Sequence, residues 1–174
     1  MKNNSVKSHA KINLNLNITG KTKKFHKLQS IISIISLHDE VTVKQIKHRS
    51  HKILFKGEFS KKISSRNTIQ KTLSILDKKK LLKKKYLVLI KKNIPSRSGM
   101  GGGSLNAATL IKILIKKRII KLDKKKLQNL CDSIGQDVKL GFCKNKMYLN
   151  SNNRVKTLNK MTKYFLLLFM PKYG

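Results

Sequence analysis

The sequence predicts one α+β domain, an antiparallel or mixed sheet packed with helices, and three observations carry that prediction. Residues 5–19 alternate as a strand does, with Ile12, Leu14, Leu16 and Ile18 on one face and Lys11, Asn13, Asn15 and Asn17 on the other. Residues 67–77, NTIQKTLSILD, place Ile69, Leu73 and Leu76 at helical spacing. Residues 86–110 read as strand, glycine loop and helix: an apolar run at 86–90 stops at Pro95, and Gly99, Gly101, Gly102 and Gly103 follow. A helical pattern then opens at Ser104. Strands and helices mingle without internal repeat or long linker, which is the pattern of a layered unit. A chain of 174 residues has enough length for one such core and is short for two.

In chain order, the first strand is followed by a turn that begins at Gly20. Residues 28–37, 41–46 and 53–55 then read as three further apolar strands, which predicts an antiparallel meander. Asn67 sits at the N-cap of the helix 67–77, and the lysine cluster 78–85 is a solvated loop. After the glycine loop, Leu105, Ala108, residues 110–115 and Ile119 make a helix buried on more than one side. Asp123 caps another helix that runs through Ile134, with Leu127, Leu130 and Cys131 inward and Gly135 as its C′ glycine. Residues 147–149, 155–158 and 164–170 are expected as three more strands.

Glycines that lead from a strand into a helix let the backbone approach a ligand closely, and the amides that open the helix then converge on an anion. Phosphate is the ligand such a loop suits. It has neither the G-K-[ST] ending of a Walker A loop nor the acidic residue of a dinucleotide fold.

Lys and Arg number 41 against seven acids, a net charge of +34 and a pI of about 10.5. That balance raises an alternative, a basic RNA-binding protein of ribosomal type. Arginine occurs only at 49, 66, 97, 118 and 154, aromatics make up 6%, and lysine is spread almost evenly, which reads as compositional bias more than as a recognition surface. Cys131 and Cys143 are too far apart for a C-x-x-C site. The polar N-terminus lacks the apolar core of a signal peptide, and the apolar run 164–170 is too short to span a bilayer. A cytoplasmic protein with no membrane partner and no specific nucleic acid is expected.

The spacing P-x-x-x-G-M-G-G-G-S-x-N-A-A from Pro95 to Ala108 resembles the glycine motif of the GHMP small-molecule kinases. Three other segments resemble that family in the same order. Ser8-His9-Ala10-Lys11-Ile12-Asn13-Leu14 is similar to its P-A-K-I-N-L strand, and Phe25-His26-Lys27-Leu28-Gln29-Ser30 to its G-Y-H-x-L-Q segment. Ile134-Gly135-Gln136-Asp137-Val138 is similar to L-G-A-D-V-P. Lys24, Lys139 and Leu105 stand where glycine, proline and a second serine are usual, and residues 150–154 replace a G-x-G-E-like turn. The resemblance implies the family's N-terminal fold, similar to a ribosomal-protein-like α+β fold, over residues 1–160. Residues 161–174 would begin a second domain, so the chain is expected to be an N-terminal part.

The resemblance also implies chemistry. ATP with Mg2+ would phosphorylate a hydroxyl of a cytidine diphosphate-linked methylerythritol, on the methylerythritol phosphate route to isoprenoid precursors. Asp137 would be the general base and Lys11 its partner. Residues 95–105 (Pro95, Ser96, Arg97, Ser98, Gly99, Met100, Gly101, Gly102, Gly103, Ser104 and Leu105), with Asn67 and Lys92, would bind ATP. Asn13, Phe25 and His26 would bind substrate, the last two at the cytosine. Read without the resemblance, Asp137 is a turn aspartate as much as a base, Lys11 a solvated lysine, and Phe25-His26 a turn anchor. A different GHMP kinase is the remaining alternative.

Overall fold

A computed structural model describes residues 5–21, 26–61, 63–143, 146–158 and 165–170. Its described strands form one six-stranded sheet. The centre is β2 (His26–Ile46), a single strand of 21 residues. β1 (Val6–Lys21) pairs antiparallel along one side of it. On the other side β4 (Lys85–Lys91) pairs with residues 40–46 and β5 (Lys146–Leu149) with residues 30–33, both antiparallel. β3 (Lys52–Lys56) lies outside β4, and β6 (Val155–Thr157) outside β5.

Two expectations about the sheet are corrected here. The runs 28–37 and 41–46 are not separate strands, because the polar His38-Asp39-Glu40 between them stays in the ladder and Asp39 turns inward to partners beyond the sheet. The sheet is also no pure meander. β3 and β4 are parallel, since the chain between them crosses over through α1 (Thr68–Lys78), as parallel neighbours require.

The helices follow local signals. Asn67 caps α1 by accepting the Gln70 amide at 3.0 Å, and Asp123 caps α3 (Lys124–Ile134) by accepting the Lys126 amide at 2.7 Å. α2 (Gly102–Lys116) starts two residues before Ser104, with left-handed Gly101 at its cap, so Ser104 sits in the first turn and caps nothing. Gly135 ends α3 in extended backbone (φ 174°), not in the left-handed form expected of a C′ glycine. The helices cover one face of the sheet: Ile69, Leu73, Leu110, Ile111, Leu114 and Leu130 pack with Val41, Val43, Val88 and Ile90. A smaller cluster joins Ile32, Leu105, Leu140 and Met147, and it seats a short 3-10 turn, Val138–Phe142, against α2.

β1 is less buried than its alternation predicts. Register shifts between His9 and Lys11, Asn13 and Asn15, and Ile18 and Gly20 break the period of two. Leu14, Leu16 and Ile18 are 39%, 53% and 68% exposed, whereas Ser8, Ala10 and Lys11 are buried. The strand expected at 164–170 is not formed over its described part: residues 165–170 are exposed and carry no regular structure, with no ladder partner among the described residues. The boundary expected at residue 160 falls outside the described residues.

Candidate active site

The glycine loop leaves β4 through Asn93, Ile94 and Pro95 and enters α2 at Gly102. Left-handed residues recur at every second position, Arg97 (φ 62°), Gly99 (φ 73°) and Gly101 (φ 71°). Such alternation turns successive amides into a concavity that suits an anion. Gly101 also needs to be small, because a Cβ there would come within 3.0 Å of the Lys11 side chain. A cavity of about 330 Å³ opens beside the loop, lined by residues 95–104 with Phe55, Ile63, Lys92 and Asn106. Asn67, Thr68 and Ile69 line it as well. The first residues of α1 and of α2 therefore face one space, and both helix dipoles place partial positive charge there.

Pro95, Ser96, Arg97, Ser98, Gly99, Met100, Gly101, Gly102, Gly103 and Ser104 lie together on that cavity, as do Asn67 and Lys92. Leu105 does not: it is buried with Ile32, Leu140 and Met147, so its side chain belongs to the core. Several polar groups on the cavity are already engaged. The Asn67 amide caps α1 and donates to the Ser64 carbonyl at 3.0 Å, and Ser98 Oγ donates to the Pro95 carbonyl at 2.9 Å. Lys92 is buried and pairs with the buried Asp39.

Lys11 meets the loop from the other side. Its amide donates to the Met100 carbonyl at 3.0 Å, which ties β1 to the loop. Its ammonium donates to Asn13 Oδ1 at 3.0 Å and stands 3.8 Å from Asp137 Oδ2. The Lys11 side chain is 11% exposed and that of Asp137 43%, so the pair lies at a rim that a solute can reach. The register shift between His9 and Lys11 lets Ala10 and Lys11 both turn inward, and this brings a lysine of the nominally polar face to the loop. Asp137 arrives from a distant part of the chain, on the residue before the 3-10 turn that α2 supports. Phe25 lies outside the described residues, and His26 is described only as the first residue of β2.

Asp39, Thr68 and Asn106 were not among the residues expected here. Asn106 stood inside the quoted glycine motif, and Asp39 was visible as an acid between two apolar runs of a strongly basic chain.

Fold and sequence together define the class, an α+β domain of the kind found at the N-terminal end of small-molecule kinases. Residues 67–142 match the family described as GHMP kinases N terminal domain. Over those residues the chain is similar to the N-terminal domain of that family. It is 46% identical over 97% of its length to a 4-diphosphocytidyl-2-C-methyl-D-erythritol kinase of Pelagibacter ubique, and 34% identical over 94% to one of Fusobacterium nucleatum. It spans 60% and 57% of those two relatives. Among solved structures, a 4-(cytidine 5'-diphospho)-2C-methyl-D-erythritol kinase superposes with a TM-score of 0.71 over 88% of this chain and 55% of that one, at 24% identity. A mevalonate pyrophosphate decarboxylase from Streptococcus pyogenes superposes at 0.65 over 89% of this chain and 50% of that one, at 15% identity. These likenesses do not favour the RNA-binding alternative.

Proposed function

We propose that the protein is an ATP-dependent kinase that phosphorylates the hydroxyl at position 2 of 4-diphosphocytidyl-2-C-methyl-D-erythritol. The observation that carries the proposal is the Lys11–Asp137 pair, 3.8 Å apart and tied to the glycine loop through the Met100 carbonyl. The names of the relatives support the choice of substrate. The loop amides and the opening turn of α2 would hold the triphosphate. Asp137 takes the proton of the attacking hydroxyl while its oxygen bonds to the γ-phosphorus, the bond to the β–γ bridging oxygen breaks, and ADP leaves. Lys11 pairs with the Asp137 carboxylate and offsets charge that gathers on the transferring group.

No group of three His, Cys, Asp or Glu side chains among the described residues could cage a metal ion. That donor set suits Mg2+ carried on the nucleotide, because Mg2+ keeps several waters and is held mainly through substrate phosphates, with Ser104 as the loop hydroxyl within reach. Bound there, Mg2+ would neutralise phosphate charge during transfer. Phe25 and His26 are the residues proposed for the cytosine, and Asn13 for placing the methylerythritol.

The test follows ADP release and the phosphorus spectrum of the product with ATP, Mg2+ and this substrate. Asp137→Asn is expected to lower turnover by about 10²- to 10⁴-fold with ATP affinity unchanged. Turnover within a few-fold of the unsubstituted protein would remove Asp137 from the mechanism.

A further inference from the structure

Outside the Lys11–Asp137 pair, the most heavily bonded acid in the described structure is Asp39, and nothing in the proposed reaction uses it. Its side chain is fully buried in β2. Oδ1 accepts the backbone amides of Asn93 and Ile94, both at 2.8 Å. Oδ2 accepts the Lys92 ammonium and, at 2.7 Å, the Asn106 side-chain amide. The four donors come from both sides of the glycine loop: residues 92–94 precede it, and Asn106 sits in the second turn of α2.

We propose that Asp39 is a positioning residue of the nucleotide site, a clamp that presets the glycine loop by fixing its entry and its exit to one carboxylate. The inference rests on the nucleotide reading given above. A carboxylate only accepts, so the Asn106 amide must present its nitrogen to Asp39, and its Oδ1 has no partner. Charge is also arranged behind the loop. The Lys92 ammonium lies so close to the first turn of α2 that a Cβ on Gly102 would come within 3.2 Å of it. A cation is unfavourable at a helix N-terminus, and the Asp39 carboxylate offsets it there. The lysine is thereby neutralised, which leaves the loop amides as the anion-binding groups.

Coulomb forces and positioning predict opposite signs for one substitution. Asp39→Asn removes a negative charge near an anion site, so electrostatics alone would tighten ATP binding. Positioning predicts weakening, because the new amide sets its N–H groups against the donors of Lys92 and Asn106 and unlocks the loop. The combined swap Asp39→Asn with Asn106→Asp restores the match: the amide at 39 donates to the carboxylate at 106, Lys92 keeps an anion, and the net charge is that of the original protein.

The experiment measures ATP affinity by titration calorimetry, with amide hydrogen exchange at Asn93 and Ile94 in the nucleotide-free protein. Asp39→Asn is expected to weaken ATP binding about tenfold or more, and the swap to recover it to within about threefold. In the unsubstituted protein the Asn93 and Ile94 amides are expected to be protected before nucleotide is added. A merely structural role would lower the melting temperature of Asp39→Asn and leave the affinity of the folded protein unchanged. Unchanged or tighter ATP binding by folded Asp39→Asn overturns the clamp, as does a folded swap variant that recovers nothing. Should the variants not fold, free exchange of the two amides in the unsubstituted protein overturns it and strong protection supports it. An unsubstituted protein that binds no ATP refutes the nucleotide reading itself, a result distinct from equal binding by the protein and Asp39→Asn.

Discussion

Gly141→Ala tests how Asp137 is held. Gly141 lies in the 3-10 turn that follows Asp137, and a methyl on it would overlap the Ala108 methyl far inside contact distance and come within 3.3 Å of Leu105 Cδ2. Ala108 is fully buried in α2 and has no side-chain torsion with which to move aside. Carbon atoms settle about 3.5–4.0 Å apart, so the turn must retreat from the helix by roughly 1 Å. Overpacking of this kind costs about 1–3 kcal/mol, and with no flexible neighbour we expect about 2–3. For a chain of 174 residues that is a fall of about 4–12 °C in melting temperature, read by circular dichroism. Ala108→Gly added to Gly141→Ala should return part of the loss, less about 1 kcal/mol for a glycine inside a helix. A Gly141→Ala melt within about 1 °C of the unsubstituted protein, or a double variant whose losses simply add, would refute the contact and with it this account of how Asp137 is placed.

Leu114→Ala, at a fully buried position of the main core, should cost about 2–5 kcal/mol in denaturant unfolding, while Leu16→Ala on the exposed part of β1 should stay within about 0.5 kcal/mol. Burial pushes the Cys131 thiol up to about 11 from 9.0, so the native protein should resist alkylation there at pH 8. Because the folded value is the raised one, this group's contribution is whole below pH 9 and is lost as pH rises through about 11. Cys131→Ala should flatten that alkaline decline in melts taken from pH 8 to 11. At Asp77 burial alone would raise the carboxyl, but hydrogen bonds from Lys85 (2.7 Å) and His51 (3.2 Å) outweigh it and hold it below 3.8. Its stabilisation is present above pH 3.8 and fades as pH falls through the lowered value, so Asp77→Asn should make acid unfolding less steep there.

What the sequence revealed was local. The caps at Asn67 and Asp123 lie three residues from the amides they accept, and the glycine loop is one continuous stretch, so both could be read without the fold. What it hid depends on partners far along the chain. Strict alternation assigns Lys11 to a solvated face, and only the register shift against β2 turns it toward Asp137, 126 positions later. His38-Asp39-Glu40 looks like a break between strands because the reason for a polar residue there, the donors at 92–94 and 106, lies more than fifty positions away. The parallel pairing of β3 with β4 is hidden likewise, since strand patterns give a face and not a partner.

The seven acids show how a chain of +34 charge keeps a specific structure. Lysine placed almost everywhere cannot specify a contact, because each ammonium repels most of its neighbours and gains little by moving. Most carboxylates in such a field pair with a cation, so their positions carry information. Asp39 joins the loop to β2, Glu40 pairs with Lys91 across β2 and β4, and Asp77 gathers Lys85 and His51 where α1 ends. Asp123 starts α3, and Asp137 meets Lys11 beside the glycine loop. Five of the seven acids thus stand at a junction between elements or at the candidate site. Raising ionic strength separates the two roles: screening the diffuse lysine repulsion should stabilise the fold, while the buried Asp39 pair, out of reach of mobile ions, should be little affected. Melting temperature is therefore expected to rise with NaCl in the unsubstituted protein and to rise in parallel in Asp39→Asn. Convergence of the two curves at high salt would mean that Asp39 acts as one more surface charge.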